Sequence, residues 1–485
     1  MASTASLADA PRGRWAAQIR AECDQLVRDA VRRPYGWAWG EIGDGAGGVW
    51  RGGKPPARGV AMDPLTTPAA GLVLYWAGRE LGDDVLFDAA RQAARGVAAA
   101  QLPTGQVKSR PLFGPTVGRR DSDEGESVIP NRAATRAALG LLLILLDDQP
   151  DPPDEQLGRC VTRALHWLQT QQTGAGGWPV MYPSDTSALD VIRLGNQRDD
   201  AHARGSAPGA RASVEPRRVL RLDDPDFRDC TLAMLLGHEV TGNAAYLSLA
   251  QKSIAQLLML RIGSPARAGR NLWATVYDLR GDRVRNLPDV TEGTNALATR
   301  YAIQTLLAAY LSTGDRKAAQ AADVAARGVA ALRHPTGLWD LYTDPRSGDP
   351  VGRHDPASTQ PSVFGATQPA LISDAWTSGT FGLDVTLHAT SQMKALGREK
   401  YLAMLSPTFE HKHQMALALC GLRDQPSALD LPVSSQEVAA YVVKHADAWA
   451  TLEGPVPADL AGRVRRAWLL LLRLRLDRMG TENGE

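Results

Sequence analysis

The chain has 485 residues, of which 44% are hydrophobic and 22% charged, so wholesale disorder is excluded and there is material for a large core. Its 54 lysines and arginines balance 53 aspartates and glutamates, so no broad basic surface points to nucleic acid as a partner. Cys23, Cys160, Cys230 and Cys420 are far apart and lack paired metal-ligand spacing, and are expected to be buried reduced thiols.

The N-terminus has no apolar core of signal-peptide length, and no apolar run reaches the roughly 18 residues of a membrane span. A cytoplasmic protein without a membrane span is therefore expected, and its oligomeric state is open. Residues 1–64 are expected to form a helix and loop that pack on the following domain. From Thr66 the chain repeats itself: an apolar helix, a short stop at Leu-Gly-Asp, an Ala-rich amphipathic helix, then Gln-x-x-x-Gly. Related units start near Asn131, Asp226 and Glu292. Gly82, Gly242 and Gly314 fall at the helix–helix breaks, where a left-handed cap is needed, and Asp or Asn follows as an N-cap.

The first helix of each pair is apolar over most of its surface, and the second has a polar face. The first belongs inside and the second outside. Alternating inner and outer helices around a ring make an all-α fold, an α/α toroid, expected over residues 65–421 with about twelve helices in the whole chain. Residues 183–223 break the pattern and read as an exposed insertion, while residues 422–485 hold C-terminal helices that complete or cap the ring.

An aromatic loop follows each outer helix. These loops carry Trp178 and Tyr182, then Trp273 and Tyr277, then Trp339, Tyr342 and Asp344. In a toroid they gather at one mouth, where flat apolar faces with polar edges suit sugars. The plainer reading is that the rings only wedge neighbouring repeats together. Inner helices begin at the same mouth, and their free N–H groups favour anions. The acidic loop with Asp121, Asp123, Glu124 and Glu126 leads there too. It reads either as a solvated loop or as oxygen ligands for Ca²⁺.

Gly176–Pro183, GGWPVMYP, resembles the GGWPQ-x-YP motif of the family 10 pectate lyases. Trp339–Asp355 resembles a second segment of that family and carries over Trp339, Tyr342, Asp344, Arg353 and Asp355. Arg283–Asn295 resembles a third, and aligns Arg283 with the family's catalytic base. At two further positions Asn131 and Asp229 match, while Pro130 and Cys230 stand where the family has acids. The resemblance covers roughly residues 66–355. It implies β-elimination on an anionic uronate oligosaccharide or polysaccharide, with Asp229, Asn131 and Asp224 (or Asp223) holding Ca²⁺ and Asp229 and Arg283 acting in catalysis.

Two other readings stand beside it. One is a non-catalytic toroid that binds a carbohydrate or a protein. The other is a terpene cyclase-like enzyme, also a toroid with Gln…Gly-Trp loops, whose acidic Asp-x-Asp-Asp motif compares with Asp226-Phe227-Arg228-Asp229.

Overall fold

Gly82, Gly242 and Gly314 each end a helix in the left-handed conformation, with φ of 63°, 69° and 74°. Asp83, Asn243 and Asp315 follow at once, and their side chains accept the N–H groups of Val85, Ala245 and Lys317 at 2.9 to 3.0 Å. Stop and start are adjacent, so consecutive helices fold back as tight hairpins.

A computed structural model describes residues 9–40, 58–109, 111–113, 132–148, 154–182, 217–263, 271–284, 293–345, 347–348, 378–379, 381–405, 410–422, 452 and 454–481. Thirteen helices lie among them: α1 Asp9–Asp29, α2 Thr67–Leu81, α3 Asp84–Ala99, α4 Arg132–Asp147, α5 Glu155–Gln171, α6 Asp226–Thr241, α7 Ala244–Met259, α8 Ala296–Thr313, α9 Arg316–Ala330, α10 Leu383–Leu396, α11 Arg398–Leu405, α12 His411–Leu419 and α13 Leu460–Thr481. No helix among the described residues is long and apolar enough to cross a membrane.

Burial separates two layers. α2 is buried continuously from Thr67 to Gly78, whereas α3 buries one stripe through Leu86, Ala89, Ala90, Ala93 and Val97. Inner helices α13, α2, α4, α6, α8 and α10 lie side by side in that order. Their outer partners are α1, α3, α5, α7, α9 and α11. The fold is thus the all-α arrangement of inner and outer helices that the repeat implies. Its first and last helices, α1 and α13, pack together, so the two ends of the chain supply one of the ring's helix pairs.

The short helix α12 occupies the axis. It is buried from His413 to Leu419, as befits a helix with no side facing water. It packs against α4, α6 and α8, and the His413 ring meets the edge of Trp76 on α2 at 4.7 Å. It runs opposite to its neighbours. At its start Lys412 reaches Asp147 at the end of α4 (2.6 Å), and His411 reaches Ser312 at the end of α8 (3.1 Å). Just past its end the Cys420 thiol points to the carbonyl of Ala137, in the second turn of α4, at 3.4 Å.

Loops from outer helices back to inner ones are pinned by a repeated strut. The Gln101 amide donates to Gly105 O at 3.1 Å and to Cys160 O on the next outer helix at 2.9 Å. Gln172 does the same with Gly176 O and Leu249 O, at 3.3 and 3.0 Å. Arg333 fills this place after α9, bonding Gly337 O and Asp384, each at 3.0 Å.

Each of the first two struts needs its glycine. Gly105 and Gly176 have φ of 101° and 99°, and a Cβ there would sit 2.1 and 2.3 Å from the carbonyl oxygens of Arg163 and Lys252. Gly176→Ala should therefore cost about 2–4 kcal/mol, the sum of positive-φ strain and overpacking. Gly174→Ala, two residues away in open space, should cost almost nothing. Urea unfolding midpoints of the two variants test this, and equal midpoints would refute it.

Candidate anion site at the mouth of the ring

Inner helices are apolar enough that any charge on them needs a buried partner. α4 opens with Arg132 and Arg136, four residues apart and so on one face. Opposite them, α6 opens with Asp226 and Asp229. Arg132 pairs with both oxygens of Asp226, its Nε lying 3.3 Å from Oδ1. Arg136 Nη1 lies 3.1 Å from Asp226 Oδ1 and 3.5 Å from Asp229 Oδ2. Arg228 Nε donates to Asp229 Oδ1 at 2.7 Å, and its Nη1 donates to Gln304 Oε1 on α8, also at 2.7 Å. Gln304 donates on to Thr386 Oγ1 of α10 at 3.2 Å. One polar chain thus crosses four inner helices. Beside it the Tyr301 ring carries the guanidiniums of Arg228 and Arg300, at 4.7 and 5.4 Å from its centre.

Arg132, Arg136 and Arg228 share Asp226 and Asp229 in this network, and the nearby Asp224 carboxylate also acts on Arg136. Burial disfavours the Asp226 carboxylate, but Arg132 and Arg136 more than offset it and hold its pKa below the usual value. Burial likewise opposes the charge on Arg132 and Arg136, and Asp226 restores it, so both are raised. The Cys230 thiol, 3.8 Å from Asp226 Oδ1, is pushed up by burial and by that carboxylate, and stays protonated. Beneath the network α12 ends, and its partial negative charge favours the arginines. Arg136 is only 4% exposed; its Nη1 meets the two carboxylates as ion pairs without hydrogen-bond geometry, and its Nε likewise has no hydrogen-bond partner.

The loop tryptophans do not face a cleft. Trp178, Trp273 and Trp339 are at most 1% exposed. Trp273 and Trp339 donate their indole N–H to Leu257 O and Val329 O, each at 2.8 Å, and Trp178 donates to Ser253 Oγ at 2.9 Å. Their faces pack in the core, so the sugar-stacking role expected for them is corrected to wedging the repeats. The same holds for Tyr277, buried on a short strand with its hydroxyl accepting Ala274 N–H at 2.8 Å. Tyr342 is half-buried near Asp223 and Arg221, and burial raises its phenol pKa. Asp344 accepts Ser347 N–H at 2.8 Å and shapes a turn.

Arg283 is exposed and forms an isolated β-bridge with the backbone of Tyr277. No contact among the described residues joins it to the buried network. Asp224 is exposed and caps α6 through Asp226 N–H at 2.8 Å. Asn131, Arg353, Asp355, the Tyr182 side chain and the acidic loop from Asp121 to Glu126 lie outside the described residues.

Of the expected calcium ligands, the two that are described, Asp229 and Asp224, do not fit a divalent cation. Asp229 has an oxygen on each of two guanidiniums, which repel a cation there, and Asp224 accepts the Asp226 N–H. Among the described residues no group of three or more His, Cys, Asp or Glu side chains is placed to hold a metal. Nor does Asp226 fit the proton donor of a terpene cyclase-like site, since its two arginines keep it ionised.

No family model matches the chain, and no curated protein does. Among solved structures it is similar to an unsaturated glucuronyl hydrolase from Bacillus sp. GL1, responsible for the degradation of glycosaminoglycan. The identity is 11% over 86% of this chain and 88% of that one, with a TM-score of 0.38. It is also similar to a catalytic mutant of a GH8 xylanase from Teredinibacter turnerae in complex with xylohexaose, at 10% identity over 84% and 93% of the two chains, with a TM-score of 0.34. Likeness at this level carries no chemistry over to this chain.

Proposed function

We propose that the protein is a carbohydrate-active toroid that takes an anionic, uronate-type oligosaccharide or polysaccharide at the mouth where its inner helices begin. The observation that carries this reading is the cluster of three buried arginines, Arg132, Arg136 and Arg228, at the start of α4 and α6. Helix N-termini add partial positive charge at the same level. The motif likeness to pectate lyases points to the same end of the ring and the same ligand class.

The finer reading is elimination. A base removes the C5 proton, the electron pair forms the C4–C5 double bond, and the C4–O bond breaks as the leaving oxygen gains a proton. Arg283 is the sequence's candidate for that base. An arginine serves as a base only where its surroundings strongly disfavour its positive charge.

Thermal denaturation with added oligogalacturonate tests the ligand class, and ultraviolet absorbance of the unsaturated product tests the chemistry. Stabilisation by oligogalacturonate, but not by a neutral xylo-oligosaccharide of equal length, is the expected result. Equal response to both sugars, or to neither, would refute it. If the lyase chemistry operates, Arg283→Ala abolishes the absorbance, and persistence of the signal removes Arg283 from the mechanism.

A further inference from the structure

The axial helix carries a titratable ring in surroundings that keep it neutral. His413 of α12 is 5% exposed and lies against the edge of Trp76 at 4.7 Å. Its Nδ1 is buried and has no hydrogen-bond partner. A charged imidazole has an N–H on each nitrogen, so protonation would leave a buried donor at Nδ1 with nothing to receive it. The charges around the ring are mostly of the wrong sign. Arg79 of α2 and Arg475 of α13 lie over Trp76, at 5.7 and 4.9 Å from its centre, and Lys412 precedes His413 in the chain. Arg475 pairs with Glu80, and Arg79 lies 3.8 Å from Asp148. Asp147 of α4 is the acid that acts for the charged ring, and Lys412 engages it at 2.6 Å and Glu410 at 3.1 Å. Glu239 of α6 and Ser312 of α8 face His411 instead, which is two residues away and on another side of the helix.

From this geometry we infer that α12 is an acid-released plug: protonation of His413 favours a state in which the helix has left the axis of the ring. Burial above all, and then Lys412 and Arg79, push the His413 pKa from an ordinary 6.5 down to about 3. The folded value lies below the exposed one, so the open form takes up the proton first as the medium is acidified. The stability that the neutral ring gives the seated helix is complete above about pH 6.5 and is lost progressively as pH falls towards the folded value. One proton is involved, so each pH unit in that window favours the open form by about tenfold. α12 belongs to none of the inner–outer pairs, so it can leave while those pairs keep their contacts.

Hydrogen–deuterium exchange of the full chain between about pH 7 and pH 4.5 decides the matter, with rates corrected for the intrinsic pH dependence of exchange. This range stops above the ordinary aspartate value, so loss of the Asp226 pairs does not enter. The opening constant of peptides from His411–Leu419 should rise by about tenfold per pH unit below about 6.5, while that of the outer helix α9 changes far less. His413→Phe keeps a ring against Trp76 and does not titrate, and should flatten the α12 response. Exchange of α12 that tracks α9 at every pH, or a response that survives in His413→Phe, overturns the inference. If His413→Phe does not fold, His413→Gln takes its place. The His413 ring of the wild type, followed by NMR through the same range, gives a direct check. A ring that becomes charged near pH 6.5 while α12 stays protected overturns the inference as well.

Discussion

Replacing Asp226 by Asn should destabilise the protein by about 3–5 kcal/mol, the usual cost of breaking a buried ion network on one side. Asp226 is the joint partner of Arg132 and Arg136, and all three are nearly fully buried. The amide keeps the shape and removes the charge, so two guanidiniums on α4 lose their main counter-ion in a region of low dielectric. The pH dependence has a definite sign. Asp226 has a folded pKa below its unfolded one, so the unfolded chain takes up its proton first as the medium is acidified. Its contribution is complete above about pH 4, the ordinary carboxylate value, and is lost as pH falls through the folded value. Melting temperatures across that range should drop steeply for the wild type and more gently for Asp226→Asn. A variant with wild-type stability would show that the α4–α6 charges are held by something other than this carboxylate.

Trp273→Ala should have an effect of similar size, about 3–5 kcal/mol, because it empties a fully buried aromatic site. Trp273→Phe keeps much of the volume and loses the bond to Leu257 O, so its cost should be about 1–3 kcal/mol. These values separate a wedge from a sugar platform. A platform tryptophan changed to alanine loses ligand affinity and leaves the urea midpoint almost where it was. The expected result is the opposite, a large shift in midpoint for Trp273→Ala. Unchanged stability with lost binding would restore the stacking role.

The hairpins were readable because each rests on local chemistry. Gly82, Gly242 and Gly314 must turn left-handed, and the Asp or Asn after each must cap, wherever the rest of the chain goes. Burial of α2 and the single stripe of α3 follow from apolar periodicity in the same way. α12 was not readable. Nothing in His411–Leu419, whose first four residues are polar, says that this helix will be buried on the axis, because that depends on contacts with α4, α6 and α8 far away in sequence.

The loop aromatics show a different limit. Tryptophan has both a flat face and a donor, and the sequence does not reveal whether face or donor is satisfied internally. A better signal was present in the threonines at the starts of inner helices. Thr67, Thr135 and Thr299 accept the backbone N–H groups of Trp39, Val107 and Trp273, at 3.0, 2.9 and 3.3 Å. That bond ties each loop down over its helix, which is the arrangement of a structural joint.

The arginine network was half visible. Two arginines four residues apart at the start of RAATRAALGLLLILL sit on a helix otherwise fit only for the interior, and such charges demand partners. Asp229 was singled out as an acid for a metal, but its actual neighbours come from α4 and from its own helix. Sequence order gave no means of bringing Arg136 to it.

The antiparallel helix on the axis also limits traffic through the molecule. With α12 buried between the inner helices along that stretch, the described helices leave no straight passage from one face of the ring to the other.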